Sequence, residues 1–212
     1  MVKRTKDYNE EALLQQANKS KYTFKVKTSK RSFSSPSPLL QGKKVYEEFV
    51  KGFNNDSTQI HFVAIFSPNC KSCGQGWEAV EKEILKKYPD TSISLQLIWT
   101  VMCKECTFER ADEMGRMITD KRVTQYWDPE NQIVDKFKEI LEMKEEKAFK
   151  DVYFFYESGK TWNIDPATQM VPTFWGHRIP EAKKENLYKD KKIEKFLEDT
   201  MKKLLEKTVE KQ

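Results

Sequence analysis

Long hydrophobic runs are absent from this chain of 212 residues. The longest apolar stretch is Ile60–Phe66, well below the roughly 18 residues that a membrane-spanning helix requires, so we expect no membrane span. No apolar segment follows the first residues, so we expect no secretory signal either. The sequence also lacks a G-x-G-x-x-G loop, a Walker-type loop and a Ser/His/Asp arrangement, which argues against nucleotide-binding proteins and hydrolases. Together these absences predict a cytoplasmic protein.

Glycine and proline are scarce, and the excess of positive charge is confined to one end. Seven glycines and eight prolines exclude a collagen-like or low-complexity chain, while 12% aromatic residues favour a globular core. Residues 1–42 carry nine Lys or Arg against three Asp or Glu, whereas the remainder carries 29 against 30. We interpret residues 1–42 as a basic flexible N-terminal extension and residues 43–212 as one domain with a C-terminal helix. No nucleic-acid-binding motif accompanies the basic residues, so we expect no nucleic-acid partner.

Strand-like and helix-like patterns of apolar residues alternate after residue 43. The spacing predicts strands over 59–67, 92–101 and 122–127. It predicts helices over 43–53, 74–88, 107–119, 131–143 and 190–208. Two further strands, 151–157 and 161–164, flank the turn Ser158-Gly159-Lys160 and predict a hairpin. This order predicts an α/β domain with a mostly parallel central sheet, flanked by helices and ending in a β-hairpin.

Four cysteines form two C-x-x-C pairs, and the first pair is Cys70 and Cys73. It lies between a predicted buried strand and the start of a predicted helix. A thiol at a helix N-terminus faces unpaired backbone N–H groups and the positive end of the helix dipole, which favour the thiolate. We therefore expect a lowered pKa for Cys70 and a catalytic role for it as the nucleophile, with Cys73 as the resolving thiol. Lys71 adds a nearby positive charge. Two buried, inert thiols are the alternative.

The strand Phe62–Ser67, the Cys70-Lys71-Ser72-Cys73 dithiol and the helix after it resemble the thioredoxin-like superfamily. Residues 126–137 resemble the inserted strand–turn–helix of thiol:disulfide oxidoreductases and peroxiredoxin-like proteins, and residues 152–160 resemble their final hairpin. The resemblance implies a thioredoxin-like fold with an inserted α/β unit. It also implies thiol–disulfide exchange on a protein or small-molecule disulfide, without a cofactor.

Three positions differ from the usual pattern of this superfamily. Asn69 replaces the aromatic residue that commonly precedes the first cysteine, and Ala64 replaces a buried acid. Asp151 precedes the hairpin strand, where the superfamily usually has a cis-proline packed against the dithiol. We expect Asp151, like Lys71, to modulate the site. Val171-Pro172-Thr173 imitates the proline motif, but no long strand with a glycine turn follows it, so we do not assign it that role.

The second pair, Cys103 and Cys106, follows the next predicted strand. If the strands at 59–67 and 92–101 are parallel neighbours, both pairs lie at the carboxyl edge of the sheet, within roughly 10 Å of one another. One interpretation is a redox relay, in which Cys103 and Cys106 pass electrons to the first pair. A second is a metal site, in which Cys70, Cys73, Cys103 and Cys106 bind zinc or an iron–sulfur cluster. A third is a non-catalytic interaction domain with vestigial cysteines.

Overall fold

The computed structural model describes residues 35–140, 150–163, 171–179, 186–188 and 193–209. The strands are β1 (Leu39–Leu40), β2 (Ile60–Phe66), β3 (Ile93–Thr100), β4 (Val123–Asp128), β5 (Val152–Tyr156) and β6 (Phe174–His177). The helices are α1 (Val45–Asn54), α2 (Lys71–Val80), α3 (Phe108–Gly115), α4 (Val134–Ile140) and α5 (Ile193–Val209), and a π-helical segment, Glu81–Leu85, continues α2. Within these ranges, no helix has the length and apolar character that would let it cross a membrane.

The six strands form one mixed sheet in the order β1-β4-β3-β2-β5-β6. Strands β2, β3 and β4 run parallel to one another, and β1 runs parallel to β4. Strand β5 is antiparallel to β2, and β6 is antiparallel to β5. The predicted α/β class is confirmed, but the prediction of a mostly parallel sheet is wrong. Alternating strands and helices did not determine the direction in which the last strands join the sheet.

The predicted partner of β5 in the hairpin is wrong as well. Residues 161–163 are not in a strand, and β6 pairs with β5 instead. Trp162 is held by α1, because its backbone N–H donates to the Asn54 Oδ1 at 2.6 Å and its indole N–H donates to the Tyr46 hydroxyl at 3.0 Å. Because the backbone N–H of Trp162 already donates to Asn54, it cannot donate to a neighbouring strand.

Apolar side chains cover both faces of the sheet and form two core clusters. On one face, Phe62 and Phe66 of β2 belong to the cluster that contains residues of α2, α3 and α5. On the other face, Val63 and Ile65 belong to the cluster that contains residues of α1 and α4. Every residue of β2 is buried, as expected for a strand that is covered on both faces. The end of β2 is therefore firmly positioned, and the turn that contains Cys70 follows it directly.

Part of the predicted N-terminal extension belongs to the sheet. Leu39 and Leu40 form β1 beside β4, and the Leu39 side chain is buried. Residues 1–34 lie outside the described residues, as do residues 141–143, 164 and 190–192 of the predicted helices and hairpin.

Candidate active site

The first cysteine pair lies where β2 gives way to α2. Cys70 is the N-cap residue of α2, with extended backbone angles (φ −88°, ψ 110°), and Cys73 lies in the first turn. The Cys73 N–H donates to the Cys70 Sγ at 3.2 Å, and the Cys70 N–H donates to the Ser67 carbonyl at 3.0 Å. An N-cap side chain accepts a bond of this kind from the first turn of its helix. The Cys70 sulfur therefore faces N–H groups that have no partner within the helix.

Cys70 and Cys73 form a disulfide whose Cα atoms are 5.2 Å apart. Cys70 is 5% exposed and Cys73 is 1% exposed, so the small accessible area of the pair is mostly that of Cys70. The Ser72 hydroxyl lies 3.1 Å from the Cys70 Sγ and is the donor, because a disulfide sulfur has no proton to give. Lys71, the first residue of α2, is exposed. The first pair is thus covered, with limited access at Cys70.

The second pair lies in the loop between β3 and α3. Cys103 and Cys106 form a disulfide whose Cα atoms are also 5.2 Å apart, and the Cys106 N–H donates to the Cys103 carbonyl at 3.0 Å. Thr107 is the N-cap of α3, so Cys106 precedes this helix by two residues. Cys103 is exposed, whereas Cys106 is buried. The two residues of this disulfide therefore differ sharply in their exposure to solvent.

Two side chains from the end of β2 connect the cysteine pairs. The Ser67 hydroxyl lies 3.1 Å from the Cys106 Sγ, while the Ser67 carbonyl accepts the N–H of Cys70. The Asn69 amide donates to the Glu105 carbonyl at 2.6 Å and lies 4.0 Å from the Cys103 Sγ. The ends of β2 and β3 are in register, because Phe66 pairs with Trp99. The structure therefore brings both pairs to the same edge of the sheet.

Asp151 occupies the start of β5, directly beside α2. Its N–H donates to the Ile65 carbonyl at 2.8 Å, and its φ of 59° lies in the left-handed region, where Asp and Asn are tolerated better than most residues. No peptide bond among the described residues is cis. A Cβ added to Gly76 of α2 would collide with the Tyr153 hydroxyl and approach the Asp151 Oδ1 to 3.4 Å. Gly76 therefore allows the Asp151 carboxylate to lie one helical turn past Cys73.

The Asp151 carboxylate is the centre of a buried polar cluster. Its Oδ1 accepts hydrogen bonds from the Tyr153 hydroxyl at 2.7 Å and the Tyr188 hydroxyl at 2.9 Å. Its Oδ2 lies 3.7 Å from the Arg178 Nη1. Burial, followed by the negative charge of Asp151, raises the pKa of both tyrosines well above the usual value. Both hydroxyls are therefore protonated donors. They attach the segment around Tyr188 to the start of β5, and the Tyr153 hydroxyl lies against Gly76 of α2.

Both histidines are packed inside the protein. His177 is fully buried in β6, stacks on Trp175 and accepts the N–H of Ile179 at its Nδ1. His61 is fully buried in β2 and stacks on Phe53 with ring centroids 4.1 Å apart. Neither ring nitrogen of His61 has a hydrogen-bond partner in the part of the chain that the structure describes. The chain's histidines are therefore separate from the cysteine contacts described above.

The burial of His61 predicts a loss of stability in mild acid. Burial lowers the pKa of His61 to about 4, while the negative charge of Asp56 has a smaller, opposite effect. His61 binds a proton near pH 6.5 in the unfolded chain, but not in the folded chain. Its contribution to the free energy of unfolding is therefore fully present above pH 6.5 and is lost as the pH falls toward 4. The full loss is about 3 kcal/mol, at 1.36 kcal/mol for each unit of pKa difference.

Urea unfolding of the wild type and of His61→Phe between pH 7 and pH 4 measures this effect. Phenylalanine keeps the stacking on Phe53 but cannot be protonated, so the free energy of unfolding should fall less steeply with decreasing pH in the variant. Equal slopes for the two proteins would show that His61 does not contribute to acid sensitivity.

Ser67, Gly76, Tyr153 and Tyr188 were not identified from the sequence as parts of the site. Ser67 could have been found, because it lies between the buried strand and the first cysteine. Tyr188 gave no signal, because the segment around it has no regular apolar spacing. The described residues contain no group of three or more His, Cys, Asp or Glu side chains in a metal-binding arrangement.

The chain was compared with family models, curated proteins and solved structures. No family model and no curated protein matches it. It is similar to a candidate thioredoxin from Neisseria meningitidis at 8% identity, over 58% of this chain and 70% of that chain, with a TM-score of 0.35. It is similar to a candidate thiol-disulfide oxidoreductase from Bacteroides vulgatus at 15% identity, over 56% and 75%, with a TM-score of 0.35. It is also similar to the exposed lipoprotein thioredoxin Etrx1 from Streptococcus pneumoniae at 12% identity, over 53% and 82%, with a TM-score of 0.34.

Proposed function

Because this chain has a thioredoxin-like fold with a disulfide at the start of α2, we propose that it is a thiol–disulfide oxidoreductase. Strands β3, β2, β5 and β6 are neighbours in the sheet, and in this proposal β4 with α4 corresponds to the inserted α/β unit that the resemblance implies. The observation that supports the function most strongly is the position of Cys70 as the N-cap of α2, where its sulfur accepts a backbone N–H.

The reaction begins from the reduced protein. The Cys70 thiolate attacks a disulfide of a protein or small molecule, so the substrate S–S bond breaks and a mixed disulfide with Cys70 forms. Cys73 then attacks the Cys70 sulfur, which restores the Cys70–Cys73 disulfide and releases the second substrate sulfur. Two electrons pass from the dithiol to the substrate, and the two protons of the dithiol balance the two thiols that are released.

The order of the two cysteines follows from their surroundings. Cys70 retains the little exposure that the pair has, whereas Cys73 lies behind it in the first turn. The N–H groups at the start of α2 and the helix dipole favour negative charge on the Cys70 sulfur. Cys70 is therefore the sulfur that meets the substrate, and Cys73 is the sulfur that resolves the mixed disulfide.

Lys71 and Asp151 modulate this site in different ways. Lys71 is exposed at the first position of α2, where its positive charge favours a thiolate at Cys70 and is screened by salt. Asp151 acts from behind the helix: its carboxylate accepts from Tyr153 and Tyr188, and the Tyr153 hydroxyl lies against the side that Gly76 leaves open. Asp151 is a positioning residue in this account.

The second disulfide supports a relay within the same chain. A reduced Cys103–Cys106 dithiol would reduce the Cys70–Cys73 disulfide and become a disulfide itself, so electrons and protons balance without an outside reagent. The Ser67 contacts with both cysteine turns favour this exchange. A cytoplasmic location stays a prediction, and reducing conditions there would keep both pairs in the dithiol form between turnovers.

The test is a thiol titration combined with metal analysis and turnover. We expect four titratable thiols after reduction, none after oxidation, and catalysed reduction of a disulfide-linked protein with dithiothreitol as the electron donor. Uncatalysed rates would contradict the proposed function. Stoichiometric zinc or iron, with thiols that do not titrate in protein purified without a chelator, would instead favour the four-cysteine metal site.

A further inference from the structure

We propose that Cys103 is the sulfur at which electrons enter the protein from an external dithiol, with Cys106 as the leaving thiolate and Ser67 as a positioning residue. This inference rests on the proposed oxidoreductase function and adds a direction to it. Electrons enter at the second disulfide and leave at Cys70.

The exposure of the four cysteines provides the first argument. Cys103 is exposed, while Cys70, Cys73 and Cys106 are each 5% exposed or less. Attack on a disulfide requires a thiolate to approach one sulfur from outside, so access decides which sulfur reacts. An external dithiol therefore reaches the Cys103 sulfur more readily than any other sulfur of the oxidised protein.

The surroundings of Cys106 provide the second argument. Attack on Cys103 expels Cys106 as a thiolate, and a leaving group reacts faster when its negative charge is stabilised. The Ser67 hydroxyl lies 3.1 Å from the Cys106 Sγ and must be the donor, because a disulfide sulfur carries no proton. Ser67 is 1% exposed, so this donor is shielded from water. The thiolate would form next to a hydrogen-bond donor that is already in place.

Asn69 holds the loop that presents Cys103. Its amide donates to the Glu105 carbonyl at 2.6 Å and lies 4.0 Å from the Cys103 Sγ. The loop is thereby attached to the turn that carries Cys70, while Cys103 remains exposed. Lys104 and Glu105 are also exposed, so Cys103 belongs to an exposed stretch of three residues in this loop.

In the entry step the external dithiol reduces the Cys103–Cys106 disulfide, and electrons and protons balance with this dithiol as the only reductant. One thiolate of the dithiol attacks Cys103, the Cys103–Cys106 bond breaks, and a mixed disulfide forms while Cys106 leaves as a thiolate. The second thiol of the donor then attacks its own first sulfur, which releases Cys103 and the oxidised donor. Two electrons and two protons have moved to Cys103 and Cys106. The relay then passes them to the first pair.

Contacts through Ser67 explain how the second cysteine pair can pass electrons to the first pair. The Ser67 side chain contacts Cys106, and its carbonyl accepts the N–H of Cys70 at 3.0 Å. The buried sulfur released by the entry step therefore lies against the turn that carries the other disulfide. Reduction of Cys70 and Cys73 through this route does not require the donor to reach them directly.

The rate at which each disulfide is reduced when the other is absent tests this inference. Oxidised protein is mixed with excess dithiothreitol, quenched with an alkylating reagent at successive times and mapped by mass spectrometry. In the Cys103→Ser/Cys106→Ser double variant, reduction of Cys70–Cys73 should be at least tenfold slower than in the wild type. In the Cys70→Ser/Cys73→Ser double variant, where the relay cannot take electrons from the second pair, Cys103–Cys106 should be reduced at least tenfold faster than Cys70–Cys73 is in the other variant. An unchanged rate in the Cys103→Ser/Cys106→Ser variant, or equal rates for the two disulfides in the two variants, would overturn the proposal.

Ser67→Ala tests the positioning role, and Ser72→Ala is its matched control at the other disulfide. Ser67→Ala should slow the cleavage of Cys103–Cys106 by about threefold to tenfold, the effect of about one hydrogen bond. Ser72→Ala should leave this cleavage unchanged, and equal effects of the two variants would remove Ser67 from the proposal. The oxidoreductase function is measured separately, by a single turnover of fully reduced wild-type protein with a disulfide-linked protein. A normal single turnover together with an unchanged rate of Cys70–Cys73 reduction in the Cys103→Ser/Cys106→Ser variant would overturn the entry route alone.

Discussion

Replacing Cys70 with serine should lower kcat/KM for the reduction of a disulfide-linked protein by at least about 1,000-fold, which corresponds to about 4 kcal/mol of transition-state stabilisation. A serine hydroxyl keeps the N-cap hydrogen bond but is a poor nucleophile toward sulfur and cannot form the mixed disulfide. The measurement is steady-state turnover with dithiothreitol as the donor. Because the fold can keep its helix cap, lost activity would report chemistry rather than unfolding, and a far-ultraviolet circular dichroism spectrum checks this.

Cys73→Ser is the matched control for the roles of the two cysteines. This variant keeps the attacking sulfur but lacks the resolving thiol, so it should accumulate a mixed disulfide with the substrate that mass spectrometry detects at Cys70. Cys70→Ser should form no adduct at Cys73. An adduct at Cys73, or wild-type turnover by Cys70→Ser, would contradict the assigned order of attack.

Replacing Asp151 with alanine should lower the free energy of unfolding by about 3–5 kcal/mol. Two buried tyrosine hydroxyls lose the carboxylate that accepts from them: Tyr153 is left unpaired, and Tyr188 keeps only its longer contact with the Asp151 carbonyl at 3.3 Å. Alanine also tolerates the φ of 59° less well than aspartate does. Urea unfolding measures the change. Activity should fall as well, because the Tyr153 hydroxyl lies against Gly76 of the helix that begins after Cys70.

Asp151→Asn separates the hydrogen bonds from the charge. Asparagine tolerates the left-handed conformation and keeps an acceptor oxygen for the tyrosines, so this variant should lose about 1–2 kcal/mol at most. Asp151→Pro should be as damaging as alanine or worse, because proline requires a φ near −65° and cannot donate to the Ile65 carbonyl. If asparagine and alanine cost the same, the charge of Asp151 would matter more than its hydrogen bonds.

The strand and the helix on either side of the first cysteine pair could be predicted because their signals are local. A continuous apolar strand predicts a strand covered on both faces, and the turn after it predicts the helix that Cys70 caps. The sequence therefore indicated both the position of Cys70 and the meeting of the two cysteine pairs at one edge. The first inference depends on residues that are close together in the chain, and the second adds the assumption that two successive strands are parallel neighbours, as β2 and β3 are.

The remaining features depend on contacts between distant segments. Strand β6 is only four residues long and pairs with β5 across an intervening segment, so local spacing could not reveal it. The difference in exposure between Cys103 and Cys106 depends on the Asn69 and Ser67 contacts with their loop. Similarly, the role of Asp151 depends on Tyr188, which lies 37 residues further along the chain.

The most direct test of the account is the pH dependence of Cys70 alkylation in reduced Cys103→Ser/Cys106→Ser protein. A thiol whose charge is stabilised by the start of α2 should reach half of its maximal rate with iodoacetamide well below the pH of about 8.5 at which an ordinary cysteine does. Cys73 should react far more slowly because it is almost completely buried. A half-maximal pH of about 8.5 or higher at Cys70, or faster alkylation of Cys73, would contradict the account.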